Sequence, residues 1–548
     1  MPRSILSDRF GCRLRDRSQG GDEKKGIAAR SECEDFADAA EPYTSSRRGF
    51  LKRGTALFAG TAAALALPDG ATEAAAEGNE ILAQLERANS DQGRRLLIKG
   101  GSIISMDPAI GNFVQADILV EGKKIAAVGP NLSAAAQAGK AIVVSAKDRI
   151  IIPGFADPHI HSWEGQLGRI IPNSNGVPDD AKHSYMSVTH RRFAFYYRPE
   201  DIYIGNLITA LSCISAGITC VCDNSHNSRS SAHADAAVKA LFDSGVRGVF
   251  AYGPALYGDW DHQWPKDLYR IKRQSFSSED QLVTLRLMDV PPPAPGPDSF
   301  KVARDLDLWI SFDGGGNAPL LPQFYRDGLL VGHESFNQGG GIPEANWQAI
   351  REYGAKINVC PRSDSQFRYG GANTAMNSIQ EALDHGVRPG ISNDNPTAYG
   401  IDMFEEMRTL YFLQRVMAQS SKLSGNPNPP SAITVRDALE FATIRGAECC
   451  GLDRKCGSLT PGKEADLLLI RINDIHLFPQ NNIIGTVVQA STIGDVDAVF
   501  IAGQVRKWGG QMTSKLLGND LSKIAKLADE SREHLFAAAG WPLDPFSD

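Results

Sequence analysis

Eight short β-rich runs, most followed by a stretch long enough for a helix, and further β-rich runs gathered at both ends predict an α/β protein. The architecture they imply is a (β/α)8 TIM barrel with a small β-sandwich built from both ends of the mature chain. The histidines supply a third observation. The apolar run Ile150-Ile151-Ile152 leads into Pro153-Gly154-Phe155-Ala156-Asp157-Pro158-His159-Ile160-His161, so the first barrel strand ends in His-x-His. Side chains alternate along a strand, which points His159 and His161 the same way. Two neutral imidazoles so placed can share one divalent metal. Two half-buried histidines satisfied by backbone carbonyls are the alternative, and for an isolated His-x-His the commoner one.

The runs at 95–99, 103–106, 116–121 and 124–128 read as strands, with Gly100-Gly101 and Gly122 as hairpin turns. Runs at 465–470, 487–490 and 496–501 read as their partners from the other end. Between them, 217–222, 245–251, 282–287, 308–312, 329–332, 355–359 and 387–391 join the His-x-His strand to make eight. The apolar spacing of Leu521, Ile524, Leu527 and Leu535 predicts a C-terminal helix over 516–539 that packs on the barrel or on a neighbour. The chain then divides into 1–77, a composite sandwich of 94–150 and 455–512, a barrel over 151–454, and a helical extension over 513–548.

The N-terminal segment is expected to lie outside the fold. Thr44-Ser45-Ser46-Arg47-Arg48-Gly49-Phe50-Leu51-Lys52, the apolar run 56–67 and the small residues Ala71 and Ala74 to Ala76 resemble a twin-arginine export signal with cleavage near 74–77. The polar residues before it are expected to be disordered. The resemblance implies the twin-arginine translocation machinery as a partner and a periplasmic or secreted destination in a bacterium.

A net charge of −7 argues against nucleic acid as a partner, and 42% hydrophobic with 22% charged residues is ordinary for a globular protein. Nine cysteines in 548 residues make no disulfide framework. Cys220-x-Cys222 and Cys449-Cys450 lack zinc-ribbon spacing and read as buried thiols. No stretch beyond the N-terminus has the length of a membrane span, so no stable membrane anchor is expected.

From about residue 95 to about residue 510 the chain resembles the amidohydrolase superfamily, in its cytosine deaminase-like and triazine hydrolase-like branch. The resemblance is carried by P-G-F-x-D-x-H-x-H, Gly332-His333, Pro361-Arg362-Ser363, Asp394 after a Gly-rich strand, and Gly457-Ser458-Leu459-Thr460-Pro461-Gly462-Lys463-Glu464-Ala465-Asp466. It implies a divalent metal, zinc with iron or manganese as alternatives, held by His159 and His161. It further implies Asp394 as ligand and proton acceptor, and His333 beside the substrate and the metal. The family's fifth-strand histidine is replaced by Asp313, a competent hard ligand. Gly316 stands where the family's deaminases carry a glutamate, which favours an amide, carbamate, lactone or ester over a nucleobase or triazine. The fourth strand has no lysine to bridge two metals, so one ion is expected.

Other candidates for substrate contact are His226, Trp163, Glu164 and Arg362. An exposed loop histidine, local packing and a structural salt bridge are the respective alternatives for His226, Trp163 and Arg362. The aromatic loop of Tyr252, Tyr257, Trp260 and Trp264 suits an apolar substrate. The function expected is metal-assisted hydrolysis of a C–N or C–O bond in a small molecule, in a homo-oligomer as the family often forms. An aminohydrolase or dechlorinase acting on a heterocycle, and a catalytically impaired binding relative, are the alternatives.

Overall fold

The computed structural model describes residues 69–176, 180–289, 297–314, 318–367, 376–513 and 521–543. The twin-arginine motif, Gly316 and the proline-rich stretch at 291–295 lie outside the described residues.

Two sheets organise the chain. The first has nine strands: β1 (Arg95–Ile104), β2 (Asn112–Glu121), β3 (Lys124–Gly129), β4 (Ile142–Ser145), β5 (Arg149–Pro153), β14 (Leu467–Arg471), β15 (Val496–Ile501), β16 (Gln504–Trp508) and β17 (Gln511–Met512). Its order is β17-β16-β15-β14-β5-β1-β2-β3, with β4 beside β1. Both ends of the chain therefore meet in one hydrogen-bonded sheet, where Ile151 of β5 faces Leu469 of β14.

The second sheet is the barrel: β6 (Phe155–Ile160), β7 (Ile218–Ser225), β8 (Arg247–Tyr252), β9 (Val283–Asp289), β10 (Ile310–Asp313), β11 (Glu334–Asn337), β12 (Lys356–Val359) and β13 (Gly390–Ile391). Its neighbours run parallel in chain order. A parallel bridge between Ile160 and Asp394 joins the last strand to the first. Helices such as Pro199–Ser215, Ser231–Ser244 and Met403–Leu423 cover it, and Phe155, Phe250, Phe336 and Phe404 lie fully buried in its apolar core.

Pro153-Gly154 carries the chain from the first sheet straight into the barrel. A Cβ on Gly154 would come within 2.1 Å of Thr219 Oγ1, so only glycine allows β6 to start against β7. The return passage is clamped by Arg247 of β8, buried, with Nη2 on Glu464 at 2.6 Å and Nε on Asp466 at 2.7 Å.

Three expectations are corrected, and one helix is added. Gly100-Gly101 does not turn a hairpin; β1 runs through it with a register shift, Gly100 taking φ +80°. The run at 487–490 is not a strand but part of a helical turn, Thr486–Ala490, set up where the Asn482 side chain accepts the Gly485 N–H at 2.7 Å. The run 329–332 precedes its strand rather than forming it. A helix, Asp69–Ala88, precedes β1; Gly78 accepts the Trp508 indole N–H at 3.1 Å and Leu85 is buried against the first sheet. The expected cleavage position at 74–77 falls inside that helix. The C-terminal helix, Leu521–Ala539, packs on the barrel layer, Ser531 donating to buried Asp201 at 2.6 Å.

Candidate metal centre

At the C-terminal ends of the barrel strands, the place where this fold assembles its sites, four side chains converge. His159 is the penultimate residue of β6 and His161 follows its end; Asp313 ends β10 and Asp394 follows β13. Asp394 Oδ1 lies 3.0 Å from His159 Nε2 and 3.2 Å from His161 Nε2. Asp313 faces the same two nitrogens, Oδ1 3.6 Å from His159 and Oδ2 3.8 Å from His161. Donors each about 2.1 Å from a shared tetrahedral ion sit about 3.4 Å apart, so this spacing fits one cation. Asp313 thus stands where the sequence put it.

The tautomer fits as well. A carbonyl only accepts, so His161 Nδ1–H donates to Asn224 O at 2.8 Å, leaving Nε2 as the nitrogen that holds a cation, a proton or a metal in its place, toward the carboxylates. The field favours positive charge. Burial works against a charged His161, yet Asp394, Asp313 and Glu164 overrule it and hold the ring up at about 10. Burial likewise opposes ionised Asp394, but His159 and His161 hold its carboxyl far below the usual range.

Asp394 is braced from its other oxygen. Oδ2 accepts Gln338 Nε2 at 3.2 Å, Asn395 Nδ2 at 3.1 Å and the Ser363 hydroxyl. Its backbone has φ +67°, which aspartate tolerates better than most residues, and the backbone ties it to β6 in both directions: Asp394 N–H to His159 O at 3.0 Å, His161 N–H to Asp394 O at 2.8 Å. Cys360 also falls within reach of His159 and Asp394. Burial pushes its thiol well up, and its Sγ lies 3.1 Å from Ser392 Oγ.

His226 follows β7 and is buried, its ring stacked on that of His161 with centroids 3.9 Å apart. Trp163 Nε1–H donates to His226 Nδ1 at 3.2 Å. Burial, then His161, His190 and His159, hold this ring neutral, so its proton sits on Nε2. That nitrogen lies 3.9 Å from Asp313 Oδ2. His226 therefore presents an N–H to the site rather than a lone pair.

Three sequence assignments are corrected. His333 precedes β11 and is exposed, stacked on Trp309 at 5.2 Å between ring centroids, at the N-terminal end of the barrel away from the other ligands. The carboxylate of Glu334 accepts the N–H groups of Val331 at 2.9 Å and Gly332 at 2.6 Å, which turns the chain before the strand begins and leaves Asn337 and Gln338 at its C-terminal end. Arg362 does not face a substrate. Its Nε meets buried Glu406 at 2.6 Å, its Nη2 reaches Asn393 Oδ1 at 2.9 Å, and its guanidinium covers the Tyr399 ring at 4.1 Å, so it secures the loop carrying Asp394. Trp163 is fully buried and packs against Tyr197 and His190; its part in the site is to orient His226. Glu164 is brought into the cluster but buried: Tyr185 donates to Oε1 at 2.5 Å, Oε2 has no partner, and burial pushes the carboxyl up to about 8.

The structure adds residues that no motif marked. His190, in the helical turn Met186–Phe193, stands 4.5 Å from His226 between ring centroids; burial pushes it down to about 3, and its Nε2 is buried without a partner. Beneath the centre runs a polar belt in place of the usual branched aliphatic layers. Asn224 Oδ1 accepts Ser311 Oγ at 2.6 Å and Asn337 Nδ2 at 3.2 Å, Asn337 Oδ1 accepts Asn358 Nδ2 at 2.6 Å, and Asn358 Oδ1 accepts Ser392 Oγ at 2.9 Å.

Comparison with known proteins agrees with this geometry. Residues 333–506 match the model of the Amidohydrolase family. The class defined by the fold is a (β/α)8 barrel with its candidate centre at the C-terminal strand ends. Along most of its length the chain is similar to a 5'-deoxyadenosine deaminase of Methanobrevibacter smithii, 24% identical over 468 residues covering 80% of this chain and 98% of that one. It is also similar to a 5-methylthioadenosine/S-adenosylhomocysteine deaminase of Symbiobacterium thermophilum, 26% identical with 75% and 93% covered. In fold it is similar to an adenosine deaminase from Xanthomonas campestris with bound zinc (TM-score 0.66, 20% identity, 81% and 98% covered). The fold also matches an atrazine chlorohydrolase from Arthrobacter aurescens TC1 complexed with zinc (TM-score 0.66, 18% identity, 80% and 100% covered).

Proposed function

We propose that this chain is a metal-dependent hydrolase that directs water at a C–N bond (amide or carbamate) or a C–O bond (lactone or ester) of a small molecule. One divalent ion, zinc by the company of its structural neighbours, would be held by His159, His161, Asp313 and Asp394. The observation that carries the reading is the convergence of two imidazole nitrogens and two carboxylates at 3.0–3.8 Å. When bound there, such an ion supplies Lewis acidity and a water that ionises near neutral pH.

The chain's own groups supply the rest. Three donors on Oδ2 fix the Asp394 carboxylate, which takes the water's proton. That proton then passes to the leaving nitrogen or oxygen. His226 Nε2–H, held by Trp163, donates to the substrate oxygen as negative charge develops. Neutral His190 offers an unpartnered nitrogen beside it for orienting the substrate.

The test is turnover of a panel of amides, carbamates, lactones and esters by protein loaded with zinc and by the same protein after chelation. Metal-dependent turnover, abolished in His159→Asn, supports the reading; turnover indifferent to chelation counts against it. A second reading, an aminohydrolase acting on a heterocycle, is favoured by the names of the relatives, and release of ammonia from a purine or triazine would select it. Export by the twin-arginine pathway is part of the proposal and is supported by the Ser46-Arg47-Arg48-Gly49-Phe50-Leu51-Lys52 context. A fusion of residues 1–77 to a reporter, with Arg47→Lys and Arg48→Lys as the control pair, tests it.

A further inference from the structure

At the opposite end of the barrel a cavity of about 430 Å³ opens between the N-terminal ends of β9, β10 and β11 and the segment from Cys450 to Lys455. Arg286 of β9 lines it and is 1% exposed. Its guanidinium is poorly satisfied. Nη2 donates to Cys449 O at 3.0 Å, Nη1 reaches only the Cys222 sulfur at 3.8 Å, and Nε has no partner. Among the described residues no carboxylate pairs with it. Nor does a thiolate: burial pushes Cys222 up to about 11, so that group is neutral. A buried, unpaired charge is costly to leave without a counter-charge, which makes the guanidinium a strong attractor for whatever anion enters the cavity.

The rest of the lining has the same sign. Lys272, Arg454 and Lys455 join Arg286 against two carboxylates, Glu279 and Asp307. Lys272 spends its charge on Glu279 at 3.7 Å, whereas exposed Arg454 has no ion-pair partner among the described residues. The volume is in the range of small-molecule sites, and guanidinium forks suit oxyanions.

We propose that this cavity is a second binding site, for a small oxyanion of the phosphate or carboxylate class, seated between Arg286 and Arg454. Trp309 reports on it, because the Arg286 guanidinium lies 5.1 Å from the centre of the indole ring on which His333 stacks.

The experiment titrates inorganic phosphate, and separately malonate, into the full chain at constant ionic strength set with potassium chloride. Binding is read by calorimetry and by tryptophan fluorescence, beside Arg454→Gln/Lys455→Gln and Arg286→Met. Saturable binding of one probe per chain, weakened at least tenfold in the surface pair and in Arg286→Met, establishes the site; the tighter probe names the oxyanion. Absence of saturable binding by both probes overturns it. Undiminished binding in the surface pair also overturns it, since the anion then sits elsewhere, as at the metal centre. If Arg286→Met fails to fold, the exposed surface pair decides alone.

Discussion

Trp163 donates its indole N–H to Nδ1 of His226 at 3.2 Å, and this one bond decides which nitrogen of the imidazole faces Asp313. Histidine tautomers are set by the partner of the other nitrogen. The same rule runs in the opposite sense at His161, where the carbonyl of Asn224 claims the Nδ1 proton and frees Nε2 to accept. Two stacked rings of one chemical type are thereby given opposite roles, one offering Nε2 to a cation and one presenting an N–H.

Trp163→Phe removes the bond while keeping most of the packing. Long-range proton–nitrogen correlation on histidine-labelled protein should show His226 protonated on Nε2 in the parent and as a mixture of tautomers in the variant. Turnover should fall roughly tenfold, the worth of about one hydrogen bond. A parent His226 protonated on Nδ1 would contradict the assignment.

His333→Ala should leave metal content unchanged and shift stability by no more than about 0.5 kcal/mol, as for an exposed side chain away from special features. Metal analysis and chemical denaturation check this together. Loss of metal would return His333 to the centre.

Arg362→Ala leaves buried Glu406 without its partner, a change that typically costs about 3–5 kcal/mol. Denaturant unfolding should show that loss, and Arg362→Lys should recover little because it cannot span Glu406 and Asn393 at once. An unchanged midpoint with a raised KM for an anionic substrate would mean that Arg362 binds substrate after all.

Burial raises the Glu164 carboxyl from its ordinary 4.5 to about 8. Between those values the folded protein holds a proton that the unfolded chain has lost. Stability from this group therefore falls as pH rises from 4.5 toward 8, and the penalty is absent below 4.5. Glu164→Gln keeps the acceptor for Tyr185 and removes the titration. The variant should gain on the parent as pH rises, by on the order of 4 kcal/mol at the upper end. A constant difference across that window would refute the raised value.

Much of this was legible in the sequence because it rests on local pattern. The triple isoleucine, the Pro-Gly joint and His-x-His announce β6 and its metal face, and Asp313 and Asp394 follow from apolar runs that do end where they seem to. The failures share a cause. β11 is Glu334-Ser335-Phe336-Asn337, with Ser335 and Asn337 on one side and Phe336 stacked on Phe312 on the other. Its inward Asn337 is polar because it belongs to the belt under the centre, and Ser335 is polar beside it. The apolar run before it therefore has the stronger strand pattern, and that pattern places His333 at the wrong end of the barrel. His190 and Gln338 carry no local signal: each joins the site through contacts made far along the chain, His190 with His226 and Gln338 with Asp394.

Asp313 is proposed to complete a one-ion centre with His159, His161 and Asp394. Elemental analysis of purified protein beside Asp313→Ala tests it most directly. About one equivalent of divalent metal is expected in the parent, with a large loss in the variant. Full metal in both would remove Asp313 from the ligand set, and a parent that takes up no zinc, iron or manganese under loading would contradict the account outright.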